Sequence, residues 1–225
     1  MNGFLLVSLG FLLIESTQSA KEGEHKCEDK VHNLIKARSD FKKPKPAFIK
    51  SFSGTIYNHD LTPSCAYGKP TVPMPGWVTL LEGEMHLPRK YELLKTGIMR
   101  ITVRGNGFDD ALCLNGESQY LALPSNFCKL KLCDFIGEDI CKVFEEPGVH
   151  TIKELEEKIG FNSTLELPEP PSLLGISLLD VFSGEFSFGF QIESEGEVVL
   201  DVSIPTNNKW LQVGVSESTK EEEDD

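Results

Sequence analysis

The sequence predicts an all-β protein: an antiparallel immunoglobulin-like β-sandwich, stapled by disulfides and carrying one short helix. Three observations predict it. Strand-like segments are short and recur between turns rich in Gly and Pro. Only one stretch carries a full set of helix-capping signals. Six cysteines, an even number, follow an apolar leader.

The leader is the run Phe4 to Ile14, followed by small and polar residues up to Ala20. It is shorter than the ~18 apolar residues a membrane span needs, and its layout is that of a secretory signal peptide. Residues 1–20 are therefore set aside. Removing them takes away one of the 35 acids, Glu15, and leaves 22 basic against 34 acidic residues, a net charge of −12. So acidic a chain repels nucleic acid and anionic membranes at neutral pH, which excludes nucleic acid as a partner class; the repulsion eases in an acidic compartment, where carboxylates begin to protonate. The leader, the cysteines and the sequon Asn162-Ser163-Thr164, a glycosylation acceptor at Asn162, all predict a secreted chain, with an endosomal or lysosomal destination open to it.

Residues 21–60 read as an N-terminal extension, partly helical or disordered. "CEDKVHNLIKARSDF" has helical spacing through Val31, Leu34, Ile35 and Arg38, and "KKPKP" breaks it. The Lys42–Lys45 cluster reads more readily as a solvated linker than as a partner-binding patch. Residues 61–215 form the β domain, and 216–225 an acidic tail unable to bury anything.

Within that domain, "GWVTLLEGEMHL" (76–87) and "KTGIMRITVRG" (95–105) alternate as strands do, with Met99, Ile101 and Val103 on one face of the second. A cysteine-rich, loop-rich centre follows. At 150–160, Thr151 and Glu154 form a capping box and Gly160 a C-cap, predicting the helix. "GEFSFGFQIES" places Phe186, Phe188, Phe190 and Ile192 on one face, and "GEVVLDVSI" returns as its hairpin partner through "SEGE".

An aromatic row of this kind either fills a closed core or faces an apolar guest, and periodicity alone favours the filled core. The stretch "PPSLLGISLLDVF" argues for the guest. Leu173, Leu174, Ile176, Leu178, Leu179 and Phe182 are too many for one strand face, and the prolines and Gly175 suggest an irregular loop that exposes some of them to a membrane or ligand. Trp77, after Pro75-Gly76, adds an amphipathic aromatic for the same interface.

Catalytic constellations are not found in the sequence. It has no GxSxG, HExxH, Walker loop or GxGxxG, and no metal-ligand spacing among its cysteines and histidines. Acid pairs such as Asp109–Asp110 read as solvated charge. The chain is expected not to be an enzyme and to need no cofactor or metal.

Three stretches carry a resemblance. "YGKPTVPMPGWVTLLEGEM" (67–85) opens on a Pro-Gly-x-Val-Thr-Leu strand entry. "LPSNFC" (123–128) is followed by "CKVFEEPGVHTI" (141–152). "LELPEPPSLLGISLLDVFSGEFSFGFQIESEGEVVLDVSI" (165–204) joins a Leu-Pro-rich loop to an aromatic strand and hairpin. Together they resemble the ganglioside activator proteins of the ML lipid-recognition family. The resemblance implies a β-sandwich whose sheets part as an apolar cup, which holds a lipid or glycolipid, contacts membranes transiently and presents its guest to a hydrolase or receptor. It implies a disulfide between Cys128 and Cys141 and leaves the other four cysteines unassigned. Trp77, Met99, Ile101, Val103, Phe186, Phe188, Phe190 and the loop residues 173–182 named above become the expected lipid contacts. The competing expectation is a secreted, disulfide-rich interaction protein, an immune co-receptor subunit or signalling ligand, with a filled core.

Overall fold

The computed structural model describes residues 26–214, apart from 122, 168, 170–171, 174–175 and 178–182. The expected acidic tail, and Leu174, Leu178, Leu179 and Phe182 of the apolar loop, lie outside the described residues. In chain order the elements are β1 (Leu34–Ser39), β2 (Phe48–Asn58), β3 (Cys65–Ala66), β4 (Lys69–Val72), β5 (Gly76–Leu87), α1 (Leu93–Thr96), β6 (Ile98–Gly105), β7 (Cys113–Leu114) and β8 (Glu117–Ser118). There follow β9 (Lys129–Lys131), α2 (Leu132–Ile136), α3 (Glu138–Phe144), β10 (Gly148–Thr151), α4 (Ile152–Ile159), β11 (Thr164–Leu167), β12 (Ser172–Leu173), β13 (Ile176–Ser177), β14 (Gly184–Ser194), β15 (Glu197–Ile204) and β16 (Leu211–Val213).

The chain is mostly β, as predicted, and the strands form a curled mixed sheet. One wall is β10–β5–β2, with β11 also on β5. The other is β15–β14–β6. β1 joins them: Leu34 to Ala37 pair with β2, while Arg38 and Ser39 pair with β15. The parallel pairing of β16 with β4 makes the sheet mixed.

This seam corrects the sequence reading of 21–60. Residues 34–39 are a strand, not a helix, and with β2 they run through the middle of the sheet. Two competing periods share the segment. Ile35, Ala37 and Ser39 are buried while Lys36 and Arg38 are exposed, so period two prevails once β2 and β15 supply partners on both edges.

β5 spans the predicted 76–87. β14 is the predicted aromatic strand; it pairs along its length with β6 on one edge and with β15, then β16, on the other. The β14–β15 hairpin turns at Glu195 and Gly196, both at positive φ (55° and 84°), as a tight two-residue turn that follows the strand twist requires. α4 is the predicted helix. The Thr151 hydroxyl accepts from the Glu154 amide, the Glu154 carboxylate accepts from the Thr151 amide, and Gly160 closes the helix in the left-handed region.

Three short helices were not anticipated. α1 touches β14, α3 touches α1, α2 and α4, and α4 lies on β5, so a row of helices bridges the side of the roll opposite β1.

The disulfides are Cys27–Cys65, Cys113–Cys128 and Cys133–Cys141. Cys128 therefore does not pair with Cys141. Cys113 sits opposite Val103 of β6, and the Cys128 carbonyl accepts from the Ile101 amide on the same strand. Both cysteines are thus delivered to β6, with Cα atoms 5.5 Å apart. Cys133 and Cys141 face each other across the adjoining helices α2 and α3.

Candidate functional site

The two walls do not fill the space between them. A cavity of about 230 Å³ remains, lined by Ala37, Ala47, Ile49 and Phe52 of the β1–β2 region and Met85 and Leu87 of β5. Tyr91, Leu93 of α1, Met99 of β6, Leu132 and Ile136 of α2, and Phe144 of α3 line the helical side. Phe190 and Ile192 of β14 and Val199, Leu200, Val202 and Ile204 of β15 complete it. Ile49, Phe52, Met85, Phe190, Ile192 and Ile204 pack on the buried core cluster yet are only half-buried, and all of them line this interior.

Among the described residues, Tyr91 is the only one lining the cavity with a polar side-chain atom. It is fully buried, with the Arg89 guanidinium 4.3 Å above its ring centroid, and its hydroxyl has no hydrogen-bond partner among the described residues. Burial pushes the phenol's pKa up, so the group stays a neutral O–H.

The expected lipid contacts divide. Met99 and Phe190 line the cavity, and Ile101 packs on the same cluster. Phe188 instead joins a second core with Ile35, Ile56 and Leu211, and Phe186 is buried beside Phe108. Val103 lies between Phe188 and Cys113 in the sheet register and lines no part of the cavity. Trp77 is also away from it, half-buried, its indole N–H donating to the His59 carbonyl at 3.2 Å. Leu173 and Ile176 pair with each other in the small β12–β13 ladder. Asn162 is exposed just past the C-cap of α4, where its side chain accepts from the Thr164 amide at 2.9 Å.

The sequence reading missed Ile49, Phe52, Met85 and the helical lining, Leu132, Ile136 and Phe144. Met85 had a usable signal, lying in the alternating run assigned to β5. Ile49 and Phe52 lay in a stretch read as an extension. Among the described residues no group of three or more His, Cys, Asp or Glu is placed to hold a metal ion, and no helix is long and apolar enough to cross a membrane. No known family model and no curated protein matches the chain.

Proposed function

We propose that this protein is a secreted or endolysosomal carrier that shields an acyl chain or the hydrocarbon part of a glycolipid, in the manner of a ganglioside activator. In this reading the curled sheet is an immunoglobulin-like sandwich whose halves are held apart as a cup. A hydrolase or receptor receives the guest, and the protein itself carries out no chemistry.

One observation carries the reading: an unfilled interior of about 230 Å³ whose lining, among the described residues, is aliphatic and aromatic but for one phenol. Protein interiors normally pack with few voids larger than a water molecule. An apolar void of ~150 Å³ stays dry and admits a benzene-sized guest, so the larger one here suits a longer hydrocarbon. Each CH₂ leaving water contributes roughly 0.8 kcal/mol, so one long acyl chain supplies most of a micromolar affinity after ordering costs. The three sequence stretches that resemble the ganglioside activators point the same way.

The test is uptake of a fluorescent fatty acid and its displacement by unlabelled lipid. Saturable uptake that Phe190→Trp abolishes supports the carrier. An intact fold that takes up no probe leaves the interaction-protein reading, which the packed rings of Phe186 and Phe188 favour.

A further inference from the structure

The loop between β1 and β2, residues 40–47, is basic in an otherwise acidic chain. Lys36, Arg38, Lys42, Lys43 and Lys45 fall within ten residues, against one acid, Asp40. None of the five cations makes an ion pair among the described residues. Asp40 is turned inward on its own loop, its carboxylate accepting from the Lys42 amide at 2.9 Å. Phe41, at the crest, is 54% exposed and leans edge-on against Phe48, which stacks on His86. Pro44 and Pro46 restrict the return to β2. The loop is thus an ordered aromatic tip among free cations.

Beside it lies a surface concavity of about 320 Å³ lined by Arg38, Ser39, Asp40, Phe41, Lys42, Ser203 and Thr206, with the Asp40 carboxylate already engaged by the Lys42 amide. Arg38 and Ser203 are register partners across the β1–β15 seam, so the guanidinium and a hydroxyl share one patch. Guanidinium, ammonium and hydroxyl donors together suit the oxygens of a phosphate.

We propose that this loop docks the protein on a membrane surface bearing anionic phospholipid. A headgroup phosphate sits between Arg38 and Lys42, and the Phe41 ring enters the headgroup layer. Charge complementarity selects the occupant. A chain of net charge −13 is repelled by such a surface except where its cations are gathered. The loop also leaves and rejoins the cavity wall, between Ala37 and Ala47, so docking would bring the bilayer against the wall that borders the cavity. Docking through this loop does not depend on what the cavity holds.

The experiment is sedimentation of the full, disulfide-intact protein with phosphatidylcholine vesicles, with and without about one-third phosphatidylserine. Binding only to the anionic vesicles, weakening steeply with added salt, is expected. The triple variant Lys42→Glu/Lys43→Glu/Lys45→Glu loses more than about 100-fold, since removing each of three cations near the surface costs about fivefold and the three new carboxylates add repulsion. Phe41→Ala loses about tenfold. A control with the same charge change elsewhere, Lys129→Glu/Lys131→Glu/Lys153→Glu, loses far less. Inorganic phosphate at constant ionic strength is the competing arm: phosphate that displaces the protein from anionic vesicles where an equal ionic strength of chloride does not supports the concavity as the headgroup site. Phosphate binding without vesicle binding, equal binding to neutral vesicles, or equal loss in the control overturns the proposal. Fatty-acid uptake measured on the same variants separates the two readings, since a failed docking loop leaves uptake intact and a failed cavity leaves docking intact.

Discussion

Phe188 and Phe190 stack with centroids 6.5 Å apart and planes 13° apart, yet they belong to different interiors. Phe190 lines the cavity; Phe188 closes the second core against Ile35, Ile56 and Leu211. The row of aromatics on β14 is therefore both plug and lining, and the boundary falls between these two rings. Phe188→Ala is expected to destabilise the fold by about 3 kcal/mol, the lower end for a core aromatic because the ring is half-buried. Phe190→Trp keeps the fold and loses guest uptake, because the larger ring fills space that was empty. Denaturant unfolding and probe binding on both variants check the division.

Tyr91 offers a second check. A buried hydroxyl without a partner is unfavourable, and removing it deletes no hydrogen bond. Tyr91→Phe is expected to leave the guest-free protein as stable as before or up to about 1 kcal/mol more stable. Thermal unfolding of the delipidated protein reads this directly. Marked destabilisation would show that the hydroxyl has a partner after all.

The three disulfides close chain segments of 38, 15 and 8 residues. If constraint of the unfolded chain dominates, losing Cys27–Cys65 costs the most, about 4 kcal/mol, and losing Cys133–Cys141 the least, about 2.5 kcal/mol. Paired Cys→Ser variants followed by urea unfolding test the order. Peptide mapping without reduction tests the pairing, and a Cys128–Cys141 peptide would contradict it.

Acid stability follows from carboxylates held below their ordinary pKa of 4.5. Glu84 is lowered by its hydrogen bond with His86 and then by Lys50; Glu185 is lowered by Lys69 and then by Asn106. Their folded pKa values lie below the unfolded ones. Their contribution is therefore complete above about pH 4.5 and is lost as pH falls through the folded values. The unfolding temperature should change little from pH 7 to about pH 5 and fall below about 4.5. Glu185→Gln should make that fall shallower. Because these groups are largely solvent-accessible the effect is modest.

Much of the β architecture was legible in residues whose periodicity had no rival. The alternation of Phe186, Phe188, Phe190 and Ile192, the run 76–87, and the Thr151–Glu154 box each had one physical reading, and the structure follows it. β1 was not legible because Val31, Leu34, Ile35 and Arg38 fit a helical period while Ile35, Ala37 and Ser39 fit a strand period. Only the distant partners β2 and β15 decide between them. α1, α2 and α3 are too short to show an amphipathic repeat. The cysteine pairing turns on β6 gathering Cys113 and Cys128 along one strand, a tertiary fact. The cavity was legible only as an alternative, since emptiness belongs to the gap between two walls and to no residue in either.

The central claim is that the space between the walls admits hydrocarbon, and native mass spectrometry of the secreted protein after incubation with a total lipid extract tests it most directly. The account predicts a one-to-one complex with an acyl-chain lipid that Phe190→Trp fails to form. Folded wild-type protein that emerges free of lipid under conditions preserving its three disulfides would contradict it.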